Sequence, residues 1–472
     1  MYNVFSAPRP YILIIDFRNE DRAIQQWHEA CVLNEQSMLG GLLLRGGQPE
    51  QWLGVRDWFE KRGTHPLIFA DFEQGAASQL SCFTRLPSAF SLGSVDDANM
   101  TAHVGSIVGR QARLLGLNGV FAPVADLLLN MNSMIMGPRC FGATPHRVAS
   151  LCTAFIRGCR RERVMTVVKH FPGHGRSVED SHKTMAIVDF NHDAWLHSDA
   201  IPFQESIDAG CDGIMAGHIW YQGLDPAKAR SASLSPIILR KLLRSDLGFR
   251  KSIFTDSFDM DAVSPGDRGV ADVAVRAGAD YVVGVQNVLD GMSPNTAHEC
   301  IPSVSTDDIW KEIESLNNEC NELSRVVARQ SLCWLHGPVR HGITDTGYLV
   351  FVCSDGTDDR WAEPFVTIIS KRIPGVKVVS GSICDLANLH DETLIVVVGR
   401  QVKPHDRAEV THVIRNIPVG HMICINFGAL WLLPLTGEHP TLLGGDTLTV
   451  TQTAAALVLM ENRETSGDPD LV

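Results

Sequence analysis

Residues 165–184 read MTVVKHFPGHGRSVEDSHKT. The stretch opens on a short apolar run, turns polar at Lys169 and His170, and continues into a Pro/Gly-rich loop. An apolar run of that length, uniform on both faces, predicts a buried parallel strand, because helices cover both sides of such a strand.

The same grammar recurs to either side. Runs at Tyr11–Ile15, Gly41–Leu44, Leu67–Ala70, Val120–Val124, Gly213–Ala216, Ser252–Thr255 and Tyr281–Val285 join Met165–Val168 to give eight strand candidates in about 275 residues. Amphipathic stretches at 102–115, 145–157 and 236–244 lie between them. The alternation predicts an α/β fold, a (β/α)8 TIM-like barrel. Polar residues cluster just after the runs: Asp71 after LIFA, Lys169 and His170 after MTVV, His218 after GIMAG, Asp256 after SIFT. In a barrel those strand ends form the active-site face.

A helix read over Thr306–Leu335 closes the first domain, placed at residues 1–337. Turn-rich residues 338–345 read as a linker, and 346–472 as a smaller α/β sandwich domain with a polar tail. Its expected strands are YLVFVC, FVTIIS, VKVVS, TLIVVVG and HMICINF. A length of 472 residues fits this two-domain reading.

The net charge of −13, from 54 acidic and 41 basic residues, argues against a nucleic-acid partner, which would need clustered cations. No run of about 18 apolar residues occurs, so no membrane partner is expected. The N-terminal MYNVFSAPRPYILIIDF reads as a first strand and not as a secretory signal. Twelve scattered cysteines without a CxxC pair read as reduced thiols, and the expected location is cytoplasmic.

Four segments carry the chemistry. Asp180 and His182, two residues apart, point to one side of an extended backbone, where a carboxylate can fix an imidazole's tautomer and support its protonated form. The same Asp-Ser-His reads equally as a surface turn. Asp256 can project a carboxylate into the barrel mouth, with Asp259 and Asp261 behind it as further acids or helix caps. Asp71 can accept two sugar hydroxyls. Arg139, in a Gly/Pro context, can reach the site from a loop or simply hold that loop by an ion pair.

Together these segments resemble glycoside hydrolase family 3, and within it the β-N-acetylglucosaminidases that include the cell-wall-recycling enzymes. The resemblance rests on DFEQGAA, GVFAPVADL, PRCFG, KHFPGHG followed by DSH, GCDGIMAGH, SASLSP, LLRSDLGF and FTDSFDM, which span about residues 40–290. It implies Asp256 as a catalytic nucleophile, His182 as acid/base with Asp180 as its dyad partner, and Asp71, Arg139, Lys169 and His170 as sugar-binding residues. The implied activity is retaining hydrolysis of terminal N-acetyl-β-D-glucosaminides by a monomer or homodimer. Its substrate is a small amino-sugar glycoside, and no cofactor or metal is needed.

Three departures stand out. DFEQGAA puts Ala76 where the family usually has arginine, Arg176 stands where an aspartate is common, and the nucleophile motif is TDSFDM. Arg176 would disfavour a protonated His182 and could attract an acidic aglycone. The competing readings are a β-glucosidase or an N-acetylglucosaminide phosphorylase of the same family, a metal-dependent hydrolase using His170, His174, His182 and His218, and a non-catalytic sugar-binding protein.

Overall fold

The computed structural model describes residues 10–131, 133, 135–177, 185–226, 230–259, 268–285, 301–305, 309–335, 348–353, 362–373, 376–381, 393–399, 407–417, 422–427, 432, 436, 440–444 and 449–461. The expected linker 338–345 lies outside them, as do Asp180, His182 and Asp261. The chain divides into two compact units: residues 1–85, 98–127 and 145–318, and residues 86–97, 128–144 and 319–472.

The first unit is a parallel barrel. Its strands are β1 (Tyr11–Asp16), β2 (Leu39–Arg45), β3 (Leu67–Ala70), β4 (Gly119–Val120), β5 (Met165–Phe171), β7 (Gly213–Ala216), β9 (Ser252–Thr255) and β10 (Val282–Val283), while β6 (Ala186–Val188) and β8 (Ile219–Tyr221) form a separate parallel ribbon. The order β10-β1-β2-β3-β4-β5-β7-β9 returns on itself where Phe254 bridges Tyr281 and the Thr255 amide donates to Tyr281 O at 3.0 Å. All eight expected runs lie on these strands or directly continue them. The interior is filled from every side by Ile12, Ile14, Leu43, Phe69, Phe121, Val167, Met215, Phe254 and Val283. Phe69 and Phe121 stack at 4.9 Å, and Phe254 meets both edge-on. Such a packed interior leaves only the loops beyond the strand ends to hold a ligand.

Helices α1 (Glu20–Glu35) and α2 (Pro49–Lys61) follow the first two strands. Asn19 caps α1 by accepting from the Arg22 amide at 3.0 Å, and Pro49 opens α2 where no amide hydrogen is needed. In the second unit, α3 (Ala89–Val95) starts at Ser88, whose hydroxyl accepts from the Ser91 amide. Back in the barrel, α4 (Ala98–Leu114) and α5 (Pro145–Arg161) meet backbone to backbone. A Cβ added at Gly105 would lie 2.3 Å from Phe155 O, and one at Gly158 would lie 2.2 Å from Ala102 O. Helices α6 (His192–Leu196), α7 (Ala200–Asp208) and α8 (Arg268–Ala277) complete the barrel's described α-helices, beside a wide π-type helix at Ile237–Asp246.

Helix α9 (Ile309–Ser331) matches most of the expected long helix, but its last residues, Cys333–Leu335, form strand β11. The remaining strands are β12 (Tyr348–Cys353), β13 (Lys377–Gly381), β14 (Thr393–Gly399), β15 (Met422–Phe427) and β16 (Thr441–Gly444), in the order β11-β16-β15-β14-β12-β13. All pairs are parallel except β11 with β16. FVTIIS is not a strand: it belongs to α10 (Glu363–Arg372), followed by α11 (Arg407–Asn416) and α12 (Thr449–Glu461). Pro364 suits a first helical turn, and Phe365 and Ile369, four apart, share one buried face. Among the described residues, no helix is long and apolar enough to cross a membrane.

Candidate active site

The strand ends of the barrel bring together Asp71, Lys169, His170 and Asp256. Lys169, on β5, is almost wholly buried; its Nζ donates to Asp71 Oδ1 at 2.9 Å and lies 2.8 Å from Glu73 Oε1. Two carboxylates on one ammonium fix its position and hold Asp71 at the mouth of the barrel. The next side chain, His170, places Nδ1 2.7 Å from Asp126 Oδ2, and its backbone amide donates to the same oxygen at 3.2 Å. The other oxygen of Asp126 accepts from the His174 amide.

Asp126 is completely enclosed. Burial works to raise its pKa, but His170 and His174 prevail and keep it below the usual carboxylate range. An ionised carboxylate can only accept, so the proton of the His170 pair is assigned to Nδ1. His174 Nδ1 meets Ser177 Oγ at 2.7 Å, and burial, reinforced by His170, pushes this imidazole down to about 4.

Asp256 follows β9 and retains partial solvent contact. Its amide donates to Ala216 O, and its Oδ1 accepts from the Ser257 amide, each at 2.8 Å. Desolvation opposes its charge, yet His170, His218, the Ser257 amide and Lys169 outweigh that and hold the carboxyl at about 2. It is therefore ionised throughout the neutral range. Behind it, His218 Nε2 donates to Ser257 O at 3.0 Å and Nδ1 meets Ser233 Oγ at 2.9 Å. Burial lowers the His218 pKa. Both its nitrogens are thus occupied, and it braces the backbone just after Asp256 instead of offering a metal ligand. Among the described residues no group of three or more His, Cys, Asp or Glu has the geometry to hold a metal ion.

Asp259 turns away from this centre, 3.0 Å from Arg45 Nη1, and accepts from Ser257 Oγ. Arg176 is committed locally: its Nε donates to Asp199 Oδ2 at 2.9 Å, Nη2 donates to Ser198 Oγ at 3.1 Å, and the guanidinium lies 3.5 Å over Phe190. The carboxylate of Asp199 pairs with its charge, while the expected effect on His182 lies outside the described residues. Ala76 is buried, with its amide held by Gln111 Oε1 at 2.9 Å. Arg139 sits in the second unit on a short turn, Gly137–Arg139, with Nη1 donating to Ile135 O at 3.4 Å.

Two participants were not singled out from the sequence, Asp126 and Glu73. Both lie inside quoted motifs, GVFAPVADL and DFEQGAA, and each is the acidic residue of its motif left without an assigned partner.

The two lowered carboxyls bear on stability. A group whose pKa falls on folding stabilises the fold above its unfolded value and loses that contribution as pH drops toward the folded value. For Asp126 and Asp256 the contribution is complete above about pH 4. His174 and His218, both lowered on folding, act in a different window: the unfolded imidazoles gain protons below about pH 6.5 while the folded ones resist them. The unfolding midpoint should therefore decline from about pH 6.5 downward and keep falling below about pH 4, where the carboxyls lose their contribution as well. Calorimetry across that range checks this, and a midpoint that stays level down to about pH 5 would mean that the folded protein protonates these imidazoles as readily as the unfolded chain does.

The sequence profile described as the Glycosyl hydrolase family 3 N terminal domain matches residues 22–298. Over 247 residues the chain is 34% identical to a beta-hexosaminidase of Nitrosomonas eutropha, covering 51% of this chain and 69% of that protein. A beta-hexosaminidase of Methylococcus capsulatus is 33% identical over 275 residues, covering 55% of this chain and 80% of that one. Among solved structures, a glycoside hydrolase family 3 β-N-acetylglucosaminidase from Paenibacillus sp. strain FPU-7 shares the fold with a TM-score of 0.77. That match covers 98% of this chain and 97% of the other at 21% identity.

Proposed function

The chain belongs to glycosyl hydrolase family 3, and from that premise we propose that it is a retaining exo-β-N-acetylglucosaminidase acting by double displacement. The observation that carries the reading is Asp256: a carboxylate held ionised at a barrel strand end, beside Lys169 and His170. The names of the relatives support the substrate class: the two curated relatives are beta-hexosaminidases, and the Paenibacillus enzyme is a β-N-acetylglucosaminidase.

In the first step Asp256 attacks the anomeric carbon while His182 donates a proton to the departing oxygen. The carbon–oxygen bond to the aglycone breaks as the bond to the carboxylate forms. In the second step His182 takes a proton from water, which attacks the same carbon and releases Asp256. Asp180 supports the cationic imidazole. Asp71, Lys169, His170 and Arg139 bind the sugar; the Lys169 ammonium and the two carboxylates around it offer donors and acceptors to its hydroxyls.

The test is proton NMR of the first-formed product from an aryl N-acetyl-β-glucosaminide, with and without inorganic phosphate. β-N-acetylglucosamine should appear first, at a rate indifferent to phosphate. An initial α anomer would overturn double displacement, and a sugar 1-phosphate would replace hydrolysis by phosphorolysis.

A further inference from the structure

Asp126 lies outside the roles assigned above, yet it joins two of their parts. Three N–H groups converge on it: the ring Nδ1 and backbone amide of His170 at 2.7 and 3.2 Å on one oxygen, and the His174 amide on the other. His174 begins a tight turn. Ser177 Oγ and the Ser177 amide both donate to His174 O, at 2.9 and 3.2 Å. The turn is pressed against the strand exit that carries Asp126, since a Cβ at Gly175 would fall 1.5 Å from Leu127 O. One carboxylate therefore fixes both a sugar-binding side chain and the foot of the loop that continues in sequence toward Asp180 and His182.

Resting on the function proposed above, we propose that Asp126 is a positioning residue that sets the sugar-binding His170 and the base of the proton-donating loop to a common register. The requirement is for a carboxylate, not merely a polar group. Asparagine replaces one acceptor oxygen by an NH2, which must then face a donor, either on His170 or on the His174 amide. Whichever way the amide turns, the backbone N–H of His170 or of His174 loses its acceptor, and an NH2 turned toward His170 would also force its ring into the other tautomer.

The experiment compares wild type, Asp126→Asn and Ser177→Ala on aryl N-acetyl-β-glucosaminides of graded leaving-group ability, together with the dissociation constant of N-acetylglucosamine and circular dichroism. In Asp126→Asn, hydrolysis of the poorest leaving groups should fall about tenfold to a hundredfold more than that of the nitrophenyl glycoside, because misplaced proton transfer costs most there. N-acetylglucosamine should also bind several-fold more weakly. Ser177→Ala loosens only the turn and should steepen the leaving-group dependence without changing sugar binding.

An even loss across the series with unaltered sugar binding in a folded Asp126→Asn protein overturns the proposal. So does a Ser177→Ala protein with unchanged leaving-group dependence, which decides the matter even where Asp126→Asn fails to fold. Absence of turnover by wild type on every member of the series is a different result: it removes the function first, and this proposal with it.

Discussion

Replacing Asp256 by alanine should lower kcat by about 10³-fold or more, because the covalent route disappears with the nucleophile. Its carboxyl accepts from the Ser257 amide and otherwise interacts through charge with Lys169, His170 and His218. Alanine takes the acceptor from the Ser257 amide at a position with partial solvent contact, where water can replace it, so circular dichroism should be unchanged. The loss should appear in kcat more than in KM, since the bond to the anomeric carbon exists only beyond the ground state. Steady-state kinetics on a nitrophenyl glycoside suffices. A variant keeping more than about a tenth of wild-type kcat would remove Asp256 from the role.

The second large effect is expected at His182. His182→Ala should cost about 10²- to 10⁴-fold on substrates with poor leaving groups, which need a proton as the bond breaks. The first step of a nitrophenyl glycoside should suffer far less. Deglycosylation still needs a base, so the glycosyl-enzyme should accumulate and be visible by mass spectrometry of the quenched protein. Azide, which needs no deprotonation, should restore turnover and yield the β-glycosyl azide. Asp180→Asn should be milder, since it keeps the ring and removes only the supporting charge. Equal losses along the series, no azide rescue and no trapped intermediate would leave His182 a positioning role, with Glu179 the first alternative acid/base.

The barrel was legible because a strand buried on both faces leaves an unbroken apolar run, and because polar residues in this fold gather just past the ends of such runs. Lys169, His170 and Asp256 were found by that rule. FVTIIS shows its limit: a short apolar run fits a strand or one buried helical face, and only the packing of Phe365 and Ile369 decides. The three-residue strand β11 at one edge of the second sheet and its four-residue neighbour β16 carry too little pattern to register. Asp126 was hidden for a different reason. Its partners lie 44 and 48 residues later in the chain, and nothing local marks a carboxylate that will receive three N–H groups. Arg176 was legible as a departure from its family, but its outcome depended on Asp199, which no spacing rule connects to it.

The close crossing of α4 and α5 bears on how this protein could be made hardier. Helix glycines are the usual first targets for thermostabilisation, since alanine raises helix propensity by about 1 kcal/mol and restricts the unfolded chain. At Gly105 and Gly158 that recipe should backfire. The new methyl would press into the carbonyl of the facing helix, 2.3 and 2.2 Å from its oxygen, and prise the pair apart. Melting temperature should fall on Gly105→Ala and Gly158→Ala alike. A consensus or directed-evolution library built for heat tolerance should therefore leave both positions fixed and spend its diversity elsewhere.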